Sequence, residues 1–104
     1  MHSMERRTSE RIAVRIKFTL HLGASEQIEL WSNDISTGGV ALECPSIIAQ
    51  GIKLGEKVML TVHYSPEEFD TVPAEAVRIA PGNRTMRGCV GFRFNREAGL
   101  QFAA

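Results

Sequence analysis

Val14-Arg15-Ile16-Lys17-Phe18-Thr19-Leu20-His21-Leu22 alternates apolar and polar side chains without a break. A period of two puts Val14, Ile16, Phe18, Leu20 and Leu22 on one face of a β-strand and leaves the other face wet. The same periodicity recurs along the chain. Gly23-Ala24-Ser25 reads as a turn, after which Ile28 and Leu30 open a second strand. Val40, Leu42 and Cys44 mark a third, closed by Pro45. Val58, Leu60, Val62 and Tyr64 mark a fourth, entered through Gly55-Glu56. A fifth lies within Val72 to Ile79, with Gly82-Asn83 as the turn behind it, and Val90, Phe92 and Phe94 line one face of a sixth. Helix is scarce: one turn over Ser46 to Gln50 before Gly51, and a short C-terminal turn over Arg96 to Ala98 with Asn95 as its N-cap. Six short strands separated by turn signals predict an all-β protein, a compact sandwich or antiparallel β-barrel.

The 104 residues allow one domain, and 43% hydrophobic content suffices for one modest core. Residues 1–11 show no apolar periodicity and are expected to form a flexible N-terminal arm, with the barrel over 12–104. Charge without an apolar run behind it argues against a signal peptide, and no stretch approaches the ~20 apolar residues of a membrane-spanning helix. A cytoplasmic location without membrane insertion is expected. Cys44 and Cys89 form no Cys-x-x-Cys pair and adjoin apolar residues, so both are expected as free thiols in a reducing compartment. His2, His21 and His63 lack metal-ligand spacing, and no metal is expected.

Charge balances, with 12 Lys+Arg against 12 Asp+Glu, which argues against a general nucleic-acid coat. Its placement is uneven. Arg6, Arg7, Arg11, Arg15 and Lys17 crowd the start against only Glu5 and Glu10. Nine of the 12 cations are arginine, the side chain suited to forked recognition of phosphates and base edges.

The second strand contains a phase change. If Ile28 and Leu30 face inward, strict alternation sends Ile35 outward, so a bulge or bend is expected within Trp31-Ser32-Asn33. Beyond it, Asp34 and Ser36 are expected to point to solvent together, with Gly38-Gly39 allowing a tight turn before Val40. Arg7-x-x-x-Arg11 then offers two guanidinium groups on the arm, and Asp34-x-Ser36-x-x-Gly39 offers a carboxylate, a hydroxyl and exposed amides on the body. Arginine pairs bidentately with guanine O6 and N7 or with phosphate, and its plane stacks on purines. A carboxylate accepts from the guanine N1–H and N2–H₂ edge. Together they call for a guanine nucleotide with exposed phosphates. No Walker-type lysine loop is present to imply hydrolysis.

These residues resemble the PilZ domain, a bacterial receptor module for cyclic di-GMP. The matching pieces are Arg7-Thr8-Ser9-Glu10-Arg11, Asp34-Ile35-Ser36-Thr37-Gly38-Gly39, Leu54-Gly55-Glu56, Ala76-Val77-Arg78 and Gly88-Cys89-Val90-Gly91-Phe92-Arg93-Phe94. The resemblance implies a six-stranded antiparallel barrel whose N-terminal arm wraps the ligand. It implies that Arg7 and Arg11 clamp guanine and phosphate groups, that Asp34 and Ser36 hold a guanine edge and an adjacent phosphate, and that Gly38 and Gly39 form the turn, Gly39 keeping it open. Arg6, directly before the first motif arginine, implies an intercalated dimer of the ligand. The C-terminal helix of larger members is nearly missing, and no second domain is evident, so signalling would pass through the barrel surface to a downstream protein partner. No cofactor and no nucleic-acid partner are expected.

The alternative is a nucleotide-independent PilZ-like adaptor, which generally lacks the two motifs present here. A small oligonucleotide-binding barrel is disfavoured by neutral charge and 7% aromatic content. No nucleophile–base pair, carboxylate dyad or metal cluster can be placed, so an enzyme is not expected. Arg78, Arg87 and Arg93 are expected on outer strand positions paired with Glu75 or Glu43, and Trp31 as a partial core or barrel-end residue.

Overall fold

The computed structural model describes residues 12–23 and 25–95. The expected arm, with Arg6, Arg7 and Arg11, and the expected turn over Arg96 to Ala98 lie outside the described residues. Six strands, β1 (Lys17–Leu22), β2 (Glu26–Ile35), β3 (Gly39–Cys44), β4 (Lys57–Ser65), β5 (Glu68–Ala80) and β6 (Gly88–Phe94), close into a barrel in the order β1-β2-β3-β6-β5-β4. Every neighbouring pair is antiparallel. Closure removes the unpaired edges that an open sheet of this size would expose.

The alternation read from the sequence is what fills the interior. Phe18, Leu20, Ile35, Leu42, Leu60, Val62 and Val72 are fully buried, joined by Val40, Val90 and Phe92. Each such side chain contributes about 1.5–3 kcal/mol through burial. A single helical turn, α1 (Ser46–Gly51), bridges β3 to β4 and lays Ala49 against β6. A Cβ built on Gly88 would come within 2.6 Å of the Ala49 Cβ, so glycine there is what lets α1 pack so closely.

The β1 ladder begins at Lys17, three residues later than the alternation starts. Residues 12–16 nevertheless continue beside β2, with Ile12, Val14 and Ile16 packed on the core. Ile12 and Ile35 form an isolated antiparallel bridge. The departure from a regular ladder arises opposite the β2 bulge. That bulge falls between Ser32 and Asp34, within the window where the phase change demanded it, and Ile35 turns fully inward beyond it.

Cys44 faces the core and Cys89 is half-buried; both are free thiols. Cys44 pairs in register with Gly88 and Cys89 with Glu43, which places the two sulfurs on opposite faces of the wall. Burial, reinforced by Cys89, pushes the Cys44 thiol up from an ordinary 9.0 to about 11. Trp31 departs from expectation. It is 45% exposed on the outer wall, because the bulge follows it and its cross-strand partner is the outward-facing Glu43.

Candidate functional site

Two bulges shape one patch of the outer wall. In β2 the extra residue is Asn33, and Asp34 is re-aimed to pair with Ala41. In β5 the register shifts between Ala76 and Arg78, so Val77 is the extra residue and Arg78 comes opposite Gly91. Ala41 itself pairs with Gly91. The outer face therefore carries, in one row across four strands, Asp34, Ala41, Gly91 and Arg78. Bulges commonly re-aim side chains in this way beside ligand sites.

Asp34 and Arg78 stand at the two ends of this row, three inter-strand steps or about 14 Å apart along the wall. A trough opens beside the row, with the glycines Gly39 and Gly91 in its floor and Arg78 on one side; Asp34 and Ala41 are not among the residues that line it. The open space above holds about 390 Å³ and is lined by Ser36, Gly38, Gly39, Val77, Arg78 and Arg93, with Val40, Gly91 and Phe92 contributing the remainder. The Arg78 side chain leans over Gly91, with Nε and Nη2 each 3.8 Å from where a Cβ would stand. Arg93, in the adjacent row, pairs with Gly39 on one side and Glu75 on the other, and its Nη2 donates to Glu75 Oε1 at 2.9 Å.

The loop between β2 and β3 departs from expectation in two respects. Ser36 is buried, at 3% exposure, and does not point out beside Asp34, which is half-buried. The Ser36 N–H donates to the Gly39 carbonyl at 2.9 Å, and its Oγ accepts the Gly38 N–H at 3.2 Å. The hydroxyl thus acts as an acceptor within the loop and keeps its own O–H to give. Gly38 and Gly39, in turn, do not owe their place to positive φ, which occurs at Gly23, Gly55 and Gly82. Gly39 is required for close approach: a Cβ there would collide with the Phe92 carbonyl oxygen of β6. Gly38 faces open space, and its carbonyl accepts the Phe94 N–H at 2.9 Å, which ties the loop to the barrel.

The structure thus gathers Ser36, Gly38 and Gly39 of the sequence-predicted set along the trough, with Asp34 just outside its lining, and adds Arg78 and also Arg93, which lies directly across from Gly39. Arg7, Arg11 and Arg6 lie outside the described residues. Ile12, bonded covalently to Arg11, is held to Ile35 between Asp34 and Ser36 by hydrogen bonds of 2.8 and 2.9 Å. The expected ion pairs are present for two of the three outer arginines. Arg93 meets Glu75, and Arg87 Nε lies 3.1 Å from Glu43, which also takes Arg15 at 3.0 Å. Arg78 is the exception, and the sequence carried a signal for it. Val72, Ala74 and Ala76 keep one phase while Ile79 takes the other, the same break that exposed the β2 bulge.

No curated protein sequence matches significantly. Solved structures do resemble the barrel. The Bacillus subtilis inhibitor of motility (MotI/DgrA) superposes with a TM-score of 0.69 at 20% identity, over 90% of this chain and 44% of that one. The present chain thus spans less than half of that protein. The PilZ domain with c-di-GMP of YcgR from Escherichia coli gives 0.68 at 15% identity, over 90% and 81% of the two chains. The PilZ domain of CeSA from a cellulose-synthesizing bacterium gives 0.60 at 22%, over 86% and 84%. At these identities the likeness is one of fold. A family model described as the PilZ domain matches residues 5–101. A match over nearly the whole chain, on a barrel of the same architecture, establishes that this chain belongs to the PilZ domain family.

Proposed function

We propose that the trough is a cyclic di-GMP site and that the protein is a receptor for this nucleotide. The observation that carries the reading is that Ile12, the residue after the arginine motif, is bridged to Ile35 inside the second motif. Ser36 and Gly38-Gly39 of that second motif line the trough, and Asp34 precedes Ser36 by two residues. The carboxylate of Asp34 suits a guanine N1–H and N2–H₂ edge, and the Ser36 O–H suits a phosphate oxygen. Arg78, and Arg93 opposite Gly39, supply cationic partners along the trough. The solved Escherichia coli domain of the same fold carries this nucleotide.

In this reading residues 1–11 close over the ligand. Ordering such a segment costs about 2–5 kcal/mol. Charge-assisted hydrogen bonds at roughly 1.5–3 kcal/mol each, from Arg7 and Arg11, offset that cost. The closed segment presents a new surface to a downstream protein partner, and no bond is made or broken. Arg6 adds a contact for a second, intercalated ligand molecule.

A calorimetric titration with cyclic di-GMP, with GTP and cyclic di-AMP as controls, tests the reading. Saturable heat for cyclic di-GMP alone is expected. Absence of heat overturns it and favours a nucleotide-independent adaptor.

A further inference from the structure

We propose that Glu75 is a positioning residue that holds Arg93 in place for an anionic ligand of the trough; the inference rests on the cyclic di-GMP reading above. Glu75 belongs to neither motif and does not itself line the trough. It stands on the outer wall of β5, directly opposite Arg93 of β6, which in turn stands opposite Gly39. The Arg93 Nη2 donates to Glu75 Oε1 at 2.9 Å. The Arg93 side chain is 62% exposed and that of Glu75 only 25%, so the carboxylate is the fixed member of the pair and the guanidinium the one that reaches out.

Cations lie on three sides of this carboxylate: Arg93 across one strand boundary, Lys57 of β4 across the other, and Arg78, which the β5 bulge brings into the neighbouring row opposite Gly91. Glu75 pairs with Arg93, and Arg78 is in no ion pair among the described residues. Two guanidinium groups therefore border one trough of about 390 Å³. Their like charges favour spreading apart, and each sits on a long stem with much rotamer freedom to lose on binding. The carboxylate counters both effects. It neutralises one cation and holds its stem before the ligand arrives. The contact uses a single nitrogen, so the Nη1 and Nε protons of a group with several N–H donors stay available for a phosphate oxygen or a guanine edge. Such a pair adds little to stability on a protein surface. Its value lies in the ordering cost that it removes from binding.

A double-mutant cycle on the full chain tests the role. Cyclic di-GMP is titrated calorimetrically into wild type, Glu75→Ala, Glu75→Gln, Arg93→Ala and the Glu75→Ala/Arg93→Ala pair, each checked for folding by a thermal melt. Glu75→Ala is expected to bind about fivefold more weakly, the upper range for a surface ion pair. Glu75→Gln, whose amide oxygen can still accept from the Arg93 Nη2, should regain most of that loss. Because Glu75 acts through Arg93, adding Glu75→Ala to Arg93→Ala should cost no further affinity. In the ligand-free protein, nitrogen relaxation at Arg93 Nε should show a looser side chain in Glu75→Ala and not in Glu75→Gln. If the alanine variant does not fold, Glu75→Ser is read in its place. Equal affinity of wild type and Glu75→Ala overturns the positioning role. Tighter binding by Glu75→Ala overturns it too, as the mark of a carboxylate that only competes with the ligand's phosphates. So does a loss that persists in full on the Arg93→Ala background. Failure of the wild type to bind overturns instead the functional reading on which the inference rests.

Discussion

Ile12 and Ile35 exchange both of their backbone hydrogen bonds, at 2.8 and 2.9 Å. Ile12 is the residue after Arg11, and Ile35 lies between Asp34 and Ser36. One antiparallel bridge thus joins two stretches separated by more than twenty positions of sequence, each beside or within a motif.

Substituting Arg7 or Arg11 by alanine should weaken cyclic di-GMP binding about 10- to 100-fold, the loss of one charge-assisted contact of roughly 1.5–3 kcal/mol. Circular dichroism and melting should change little. Calorimetry beside a thermal melt checks both halves.

Arg6→Leu should lower the ratio of ligand to protein at saturation while leaving the first binding event in place. The titration endpoint reads this directly. An unchanged ratio removes the second ligand molecule from the scheme.

Arg78→Ala should reduce affinity about tenfold with no change in melting temperature, because Arg78 is exposed at the far wall of the trough. Unaltered affinity would leave Arg78 outside the site.

Gly39→Ala and Gly38→Ala should differ sharply although the residues are neighbours. At Gly39 a Cβ meets the Phe92 backbone carbonyl, which cannot swing aside, and a cost of about 1–3 kcal/mol is expected from overpacking. At Gly38 nothing lies within 4 Å of a Cβ, and the melting temperature should hold.

The Cys44 thiol gives a pH dependence. It ionises near 9.0 in an unfolded chain and near 11 in the fold, so above pH 9 the folded state holds more protons than the unfolded one. Stability should therefore be at its full value below pH 9 and fall as pH rises toward 11. Cys44→Ala should flatten that part of the curve in denaturant titrations at several pH values, whatever its effect at neutrality. At neutral pH an alkylating reagent should modify Cys89 ahead of the buried Cys44.

Most of the barrel was legible because strand alternation is written residue by residue. Val14 to Leu22, Val58 to Tyr64 and Val90 to Phe94 each show which face is buried, and Ile35 betrayed the β2 bulge by its phase. The order of strands was less accessible, since the β3–β6 and β1–β4 pairings join segments distant in sequence. At the site, the acid, the hydroxyl and the two glycines could be named from their spacing. Their local roles could not: burial of Ser36 and the crowding at Gly39 depend on β6, which no pattern within residues 34–39 describes. Arg78 was in view, but its bulge at Val77 showed only in a change of phase spread over Val72 to Ile79.

The glycine floor of Gly39 and Gly91 has a consequence for how the proposed nucleotide site could be lost. At Gly91 a methyl group would only touch Arg78 at an ordinary distance, so bulk can be added there without disturbing the core. A leucine in that place would fill the depression from beneath while every named contact residue stayed intact. A descendant could thus go deaf to its messenger through volume alone, with both signature motifs still present in its sequence.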